Sequence, residues 1–157
     1  MTDASKSPEC QLCTDDGGDV VWRDAHCRVV LPAEAQYPGF VRVIANQHAA
    51  EMTDLPRAVR DHIMAVVWAC EAVLREVMAP TKVNVASLGN VVAHVHWHII
   101  ARFADDRHFP NPIWGAAMRQ TCATDHVRRQ MRAGTLPVSL ALALDQQFST
   151  VQPAAAP

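Results

Sequence analysis

One long amphipathic segment constrains the fold more than any other part of this chain. Between Asp54 and Met78 the apolar residues recur at intervals of three and four positions, which predicts an α-helix with one buried face. Asp54 or Thr53 can cap the N-terminus of this helix, and Pro80 follows its end. Such a helix needs a partner surface to cover its apolar stripe. The stripe consists of Val59, Ile63, Val66, Val67, Cys70, Val73, Leu74 and Val77.

The partner surface is expected to be a β-sheet, because strand patterns flank the helix on both sides. Three predicted strands precede the helix, at residues 20–22, 26–31 and 40–45, and two follow it, at residues 81–87 and 92–103. Strands and helices do not alternate regularly, so a parallel sheet is not expected. The sequence therefore predicts an α+β fold, in which the long helix packs on an antiparallel sheet of about five strands.

The length of the chain suits a single domain, expected to span all 157 residues. We expect its core at about residues 10–115, followed by a helical C-terminal extension at 116–150 that is split near Gly134 and Pro137. The polar ends, residues 1–8 and 152–157, are expected to be disordered.

The net charge of −2 argues against a general nucleic-acid binder. No apolar run reaches the roughly 20 residues of a membrane span. The absence of a signal-peptide pattern and the odd number of cysteines, five, favour a reducing, cytoplasmic location.

Three histidines occupy alternate positions of the last predicted strand. Side chains on a strand alternate between its faces, so His94, His96 and His98 are expected to share one face, each about 6.6 Å from the next. Protonation of one imidazole disfavours protonation of its neighbours, so such a cluster is costly without a function. Two chemistries fit the spacing: a zinc site with an open position for water, or a nucleophilic imidazole supported by its neighbours. The intervening apolar residues are expected in the core: Val95, Trp97 and Ile99.

The segment from His94 to Ile100 resembles the signature of the histidine triad family, His-φ-His-φ-His-φ-φ with φ an apolar residue. The resemblance extends over roughly residues 10–103, including residues 39–48, which are similar to the family's strand followed by a histidine. It implies a homodimeric hydrolase or transferase, similar to the diadenosine polyphosphate hydrolases, that acts at the α-phosphorus of a purine nucleotide without a catalytic metal. His96 would form a nucleotidyl-histidine intermediate, the backbone carbonyl of His94 would orient its ring, and His98 and His48 would contact phosphate oxygens.

The same resemblance implies further nucleotide contacts. Asn84 on the preceding strand would bind ribose or phosphate, although a structural cross-strand hydrogen bond is the alternative. Many family members carry Gly-Gln-Ser or Gly-Gln-Thr before the triad, whereas this chain has Gly89, Asn90 and Val91. Asn90 keeps an amide on a shorter side chain, and Val91 lacks the hydroxyl. Dinucleoside polyphosphates, nucleoside phosphoramidates and aminoacyl-adenylates therefore all stay open as substrates.

Cys10 and Cys13 form a CxxC pair, a spacing that places two thiolates close enough to share one zinc ion. Some bacterial family members resemble this chain in having an N-terminal CxxC. Carried over, the ligands of a structural zinc would be Cys10, Cys13, His48 and His94. This assignment competes with the phosphate contact of His48, and unligated cysteines are the alternative to both.

Two other functions stay open on the sequence. Asn90 and Val91 would also fit a nucleotide-binding regulatory module with weak activity, and the triad itself could ligate zinc in a metal-dependent hydrolase. Lys82 and Arg102 are expected on the solvated surface rather than at phosphate. Trp114 is expected either to dock the C-terminal segment or to reach a nucleobase.

Overall fold

The computed structural model describes residues 6–148. The predicted disordered end at 152–157 and most of the one at 1–8 lie outside the described residues. Within residues 6–148, no helix is long and apolar enough to cross a membrane.

Five strands form one open antiparallel sheet, which confirms the predicted α+β architecture. Their order across the sheet is β1-β2-β3-β5-β4, with every neighbouring pair antiparallel. β5, which carries the histidines, is therefore flanked on both sides, by β3 and by the edge strand β4. The strands are β1 (Asp19–Arg23), β2 (Cys27–Leu31), β3 (Phe40–Ala45), β4 (Lys82–Ala86) and β5 (His96–Arg102).

The long helix covers one face of this sheet. It runs over Arg57–Met78, and we name it α2, after a short helix α1 at Gln11–Thr14. It begins later than predicted because Met52–Asp54 form a separate turn of 3-10 helix, in which the Asp54 carboxylate accepts a hydrogen bond from the Glu51 backbone N–H at 3.0 Å. The residues that α2 buries match the predicted stripe closely: Ile63, Val66, Val67, Cys70, Val73, Leu74 and Met78.

Two C-terminal helices complete the fold, α3 (Ala123–Ala133) and α4 (Leu136–Phe148). The break between them lies near Gly134, as predicted, but Pro137 sits within the first turn of α4, where its missing N–H breaks no helical bond. α4 packs on α2 and β1. Its leucines 136, 140 and 144 are fully buried in the same core cluster as the sheet and α2. The extension that the sequence predicted at 116–150 thus contributes to the main core.

The segment before β5 departs from the predicted strand at 92–103. The strand begins at His96, and His94 lies in a bend. Val95 still exchanges backbone hydrogen bonds with Ala45 and Ala49, so the bend stays attached to the end of β3. The expectation of three histidines on one regular strand is therefore wrong at His94, because the chain turns to direct that side chain elsewhere.

Arg102, at the other end of β5, is also placed differently from the expectation. It is 1% exposed rather than solvated. Its guanidinium donates to both carboxylate oxygens of Asp106, at 2.7 and 3.0 Å, to the Asn111 carbonyl at 2.8 Å and to Asn84 Oδ1 at 2.6 Å. A buried guanidinium needs such partners, and here they anchor the loop that carries Trp114. Lys82 is exposed, as expected.

Candidate functional site

Four side chains with metal-ligating atoms converge where the bend enters β5. Cys10 directly precedes α1, Cys13 lies within α1, His48 follows β3, and His94 precedes β5. Their Sγ and imidazole nitrogen atoms all lie within 4.8 Å of one another. Residues far apart in the chain thus share one site, which we call the Cys/His cluster.

The distances within the Cys/His cluster fit a tetrahedral metal. Sγ of Cys10 lies 3.4 Å from Nδ1 of His94, and Sγ of Cys13 lies 3.4 Å from Nδ1 of His48 and 3.5 Å from Nδ1 of His94. The two Nδ1 atoms are 3.3 Å apart. Tetrahedral zinc, with bonds of about 2.3 Å to sulfur and 2.0–2.1 Å to nitrogen, separates its ligands by roughly 3.3–3.8 Å. The residues therefore fit a Cys₂His₂ zinc site.

The hydrogen bond of the His94 ring is also the one that a metal ligand requires. Its Nε2 donates to the backbone carbonyl of Ala45 at 2.8 Å, so the ring proton resides on Nε2. Nδ1 then presents its lone pair to the two cysteines and His48. A metal-bound imidazole is commonly held in this way, with its second nitrogen donating to a carbonyl.

The His96 ring has the opposite arrangement. Its Nδ1 donates to the backbone carbonyl of His94 at 2.5 Å, so the ring proton resides on Nδ1 and the lone pair on Nε2. Burial lowers the pKa of His96, and the positive charge of Arg42 lowers it further, against the effect of the His94 carbonyl. The ring is therefore neutral near pH 7, which leaves Nε2 as a potential nucleophile.

His98 lies beside His96, with ring centroids 4.8 Å apart. Two further rings lie beside it, the exposed ring of Trp114 at 5.0 Å and the ring of Phe40 at 5.4 Å. Burial lowers the pKa of His98 to about 4, helped by His96 and Arg42, so this ring is also neutral near pH 7. Its Nδ1 is buried without a hydrogen-bond partner in the part of the chain that the structure describes.

A cleft of about 780 Å³ opens over His96 and His98. Gly89 and Asn90 form part of its wall, together with the exposed Val91. Gly89 has a φ of +77°, a conformation that favours glycine and lets the chain turn toward β5. The cleft is also lined by Gln11, Leu12, Asp15, Gly17, Gly18, Pro32, Ala33, Glu34 and Arg42.

The family model described as the HIT domain matches residues 15–105, more than half of the chain. The chain belongs to the HIT family. This confirms the resemblance that the sequence carries. A comparison of this HIT protein with curated proteins gave no significant match.

Solved HIT structures share the fold. A histidine triad protein from Bradyrhizobium japonicum is 26% identical, with a TM-score of 0.63, over 78% of this chain and 91% of its own. One from Marinobacter aquaeolei VT8 is 24% identical, with a TM-score of 0.63, over 82% and 90%. A zinc-bound histidine triad family protein from Mycobacterium smegmatis is 19% identical, with a TM-score of 0.59, over 88% and 97%.

Two residues predicted to contact nucleotide lie away from His96 in this HIT protein. His48 belongs to the Cys/His cluster and does not line the cleft. Asn84 pairs with Ile100 across β4 and β5, and its Oδ1 accepts the hydrogen bond from Arg102. Its position matches the structural alternative given above, and it borders a separate shallow pocket beside Ile113 and Trp114.

Sequence reasoning missed Arg42 in the HIT site. Arg42 lies on β3 directly opposite His98 and lines the cleft. The signal was present, since Arg42 is the one charged residue within the apolar strand FVRVIA. Only the register of β3 against β5 shows that this charge faces the histidines.

Proposed function

We propose that this HIT protein is a nucleotide hydrolase or transferase that acts at the α-phosphorus through a nucleotidyl-histidine intermediate on His96. The hydrogen bond from His96 Nδ1 to the His94 carbonyl carries the proposal. It fixes the tautomer whose Nε2 lone pair is free, and Nε2 belongs to a ring that lines the cleft. A nucleophile held by a neighbouring acceptor is the usual arrangement for covalent catalysis.

The reaction has two displacement steps. Nε2 of His96 attacks the α-phosphorus, and a P–N bond forms while the bond from phosphorus to the leaving group breaks. Water, or another acceptor, then attacks the same phosphorus and displaces His96, which releases the nucleotide. His98 and Asn90, with the backbone at Gly89, bound the space around the reacting phosphate and are the groups we assign to bind its oxygens.

The Cys/His cluster is proposed as a structural zinc site held by Cys10, Cys13, His48 and His94. Four protein ligands leave no open position for water, so the ion would tie α1 to the sheet and take no part in the reaction. This assignment uses Nδ1 of His48 for the metal, and we therefore do not give His48 a phosphate contact. The triad is not proposed as a set of zinc ligands, because the His94 ring belongs to the cluster and the His96 ring donates to a carbonyl.

The substrate class includes dinucleoside polyphosphates and nucleoside phosphoramidates, each of which offers an α-phosphorus and a displaceable group. Mass spectrometry of the wild-type protein, quenched in acid-free denaturant during turnover, is expected to show a peptide containing His96 with the added mass of a nucleoside monophosphate. A His96→Gly variant should lack the adduct, and added imidazole should restore part of its turnover. Turnover without any adduct, and with His96→Gly as active as wild type, would refute the mechanism.

A regulatory module with weak activity is the second candidate, and Val91 favours it. Val91 is 97% exposed beside the cleft and carries no hydroxyl for phosphate or leaving group. Steady-state turnover on the two substrate classes distinguishes the candidates. Nucleotide binding with no measurable turnover on either class would favour the regulatory module.

Assembly is proposed as a homodimer, which the family resemblance implied. The long helix and the edge strand β4 present exposed apolar side chains, Trp68 and Val85, to a second copy. Sedimentation at micromolar concentration is expected to show a dimer, and a stable monomer would contradict this assembly.

A further inference from the structure

Two neighbouring residues in the cleft carry unsatisfied polar atoms. Within residues 6–148, the buried side-chain polar atoms that lack a hydrogen-bond partner are Nε of Arg42 and Nδ1 of His98. The two residues lie directly opposite each other on β3 and β5, so their side chains project from the same face of the sheet. A buried polar group without a partner costs stability, so two of them at one place indicate a site that a ligand completes.

The guanidinium of Arg42 has one edge free. Its Nη1 makes a long contact of 3.5 Å with the Gly17 carbonyl, and its Cζ lies 5.3 Å from the centroid of the Phe40 ring. Among the described residues, neither Nε nor Nη2 has a hydrogen-bond partner, and no ion pair includes this side chain. Elsewhere in the chain, Arg102 uses Nε and Nη2 to hold both oxygens of the Asp106 carboxylate, at 2.7 and 3.0 Å. Arg42 presents the same pair of donors without an acceptor.

Arg42 is also the one cationic side chain among the described residues that line the cleft. His96 and His98 line it as neutral rings near pH 7, because burial lowers the pKa of both. Asp15 and Glu34 add negative charge to the lining, and neither forms an ion pair with Arg42. A phosphate group that is drawn out of water beside the neutral rings needs a positive partner. Among these lining residues, Arg42 supplies that charge.

The register of the sheet brings Arg42 close to the proposed nucleophile. β3 pairs Ile44 with His96 and Arg42 with His98, so Arg42 is the diagonal neighbour of His96. Diagonal neighbours on an antiparallel pair are roughly 7–8 Å apart, a distance that long side chains can span. A phosphate that is attacked by Nε2 of His96 therefore comes within reach of the free edge of the guanidinium.

We propose that Arg42 binds the oxygens of the reacting α-phosphate through Nε and Nη2; this inference rests on the proposed nucleotide function. Two oxygens of a phosphate match the two parallel N–H donors of a guanidinium edge. Arg42 transfers no proton, and its positive charge offsets the negative charge on the phosphate oxygens while Nε2 of His96 attacks. The phosphate thus gains a charged contact in addition to those assigned to His98, Asn90 and Gly89.

Calorimetric titration with two ligand pairs, AMP with adenosine and GMP with guanosine, tests the proposal without requiring turnover. The members of each pair differ only by the phosphate. The wild-type full chain is expected to bind the better of the two nucleotides at least ~10-fold more tightly than its nucleoside, the effect of a hydrogen-bonded charge. Arg42→Gln should lose most of this difference while nucleoside binding stays unchanged. Arg42→Lys should keep part of it, since a lysine retains the charge but lacks the fork.

Melting temperatures separate a phosphate contact from a structural role. A guanidinium without an acceptor costs stability in the absence of ligand, so Arg42→Gln should melt no lower than the wild type. The bound nucleotide should raise the melting temperature of the wild type more than that of the variant. Arg57→Gln, at a side chain that is 87% exposed on α2, is the matched control and should bind both nucleotides like the wild type.

Four results would overturn the proposal. Equal binding of each nucleotide and its nucleoside by the wild type, or unchanged nucleotide binding in Arg42→Gln, would refute the phosphate contact and leave the nucleotide function intact. An equal loss for nucleotide and nucleoside in Arg42→Gln would place Arg42 on the nucleoside instead. Failure of the wild type to bind either nucleotide would refute the proposed function together with this inference. Should Arg42→Gln fail to fold, Arg42→Lys decides, and nucleotide binding equal to that of the wild type would refute the fork.

Discussion

His94 and His96 stand two positions apart and use opposite nitrogens. His94 donates from Nε2 to Ala45 and turns Nδ1 toward two cysteines and His48, whereas His96 donates from Nδ1 to the carbonyl of His94 itself. The Nδ1 lone pair of His94 therefore converges with other ligand atoms, whereas the Nε2 lone pair of His96 belongs to a ring that lines the cleft. The comparison teaches that a backbone carbonyl, by selecting a tautomer, can decide whether a histidine is a ligand or a nucleophile. The two regions also share a residue, because His94 serves one with its ring and the other with its carbonyl.

The largest expected effect comes from replacing His96, which lines the cleft and does not belong to the Cys/His cluster. His96→Ala should reduce turnover by at least about 10³-fold, because the substitution removes the imidazole that we assign as the nucleophile. The Cys/His cluster does not use this ring, so the zinc content and the melting temperature should match those of wild type. Elemental analysis and steady-state kinetics on the same preparation check both expectations. Loss of zinc in His96→Ala would show that the two regions are not separable.

The second prediction concerns replacement of the two cysteines of the Cys/His cluster. Cys10→Ser combined with Cys13→Ser should abolish zinc binding and lower the free energy of unfolding by about 4 kcal/mol, the value for an ion at a thousandfold excess over its dissociation constant. Turnover should fall far less than in His96→Ala, since the nucleophile remains. Zinc analysis and urea denaturation give the measurement, and Cys122→Ser, at an exposed cysteine, is the control. Equal zinc in the double variant and in wild type would contradict the site.

A third test uses pH to probe His98, which is buried beside His96 in the cleft. The pKa of His98 is about 4 in the folded chain, below the ordinary 6.5, so the folded state resists protonation. Its contribution to stability is complete above pH 6.5 and is lost as the pH falls from 6.5 toward 4, by about 3 kcal/mol in total. His98→Asn should flatten this part of the stability profile, whereas His26→Asn, at an exposed position, should not. Denaturation at several pH values compares the three proteins, and identical slopes would disprove the assignment.

The smallest expected effect comes from comparing Asn84, which is hydrogen-bonded to Arg102, with Asn90, which is exposed in the cleft wall. Asn84→Ala should cost about 1–2 kcal/mol of stability, because it removes the acceptor from one N–H of the buried Arg102. Asn90→Ala, at an exposed position in the cleft wall, should lower kcat/KM and leave stability unchanged within about 0.5 kcal/mol. Thermal unfolding and kinetics of the pair decide the matter. The reverse result, in which Asn84→Ala lowers kcat/KM and Asn90→Ala lowers stability, would assign the nucleotide contact to Asn84 instead of Asn90.

Elements with strong periodicity could be predicted from the sequence, and contacts between distant segments could not. The stripe of α2 and the alternation of β3 need only neighbouring residues, so their bounds were predicted closely. The bend at His94 depends on contacts with Cys10, Cys13 and His48, so the pattern of alternate histidines extended the strand too far. The burial of Arg102 depends in part on Asn84 of the neighbouring strand, and the importance of Arg42 depends on its register with His98. Local spacing alone does not identify the residue that contacts either arginine.

The three buried leucines of α4 have a consequence for synthesis of the chain. Trp22 on β1 donates a hydrogen bond to Asp145 at 3.0 Å, so the first strand and the last helix close the core together. A nascent chain that has not yet reached residue 136 exposes the apolar surface that these leucines later cover. Folding of the sheet and α2 can therefore reach completion only after α4 has left the ribosome, and until then this apolar surface of the growing chain stays exposed to water.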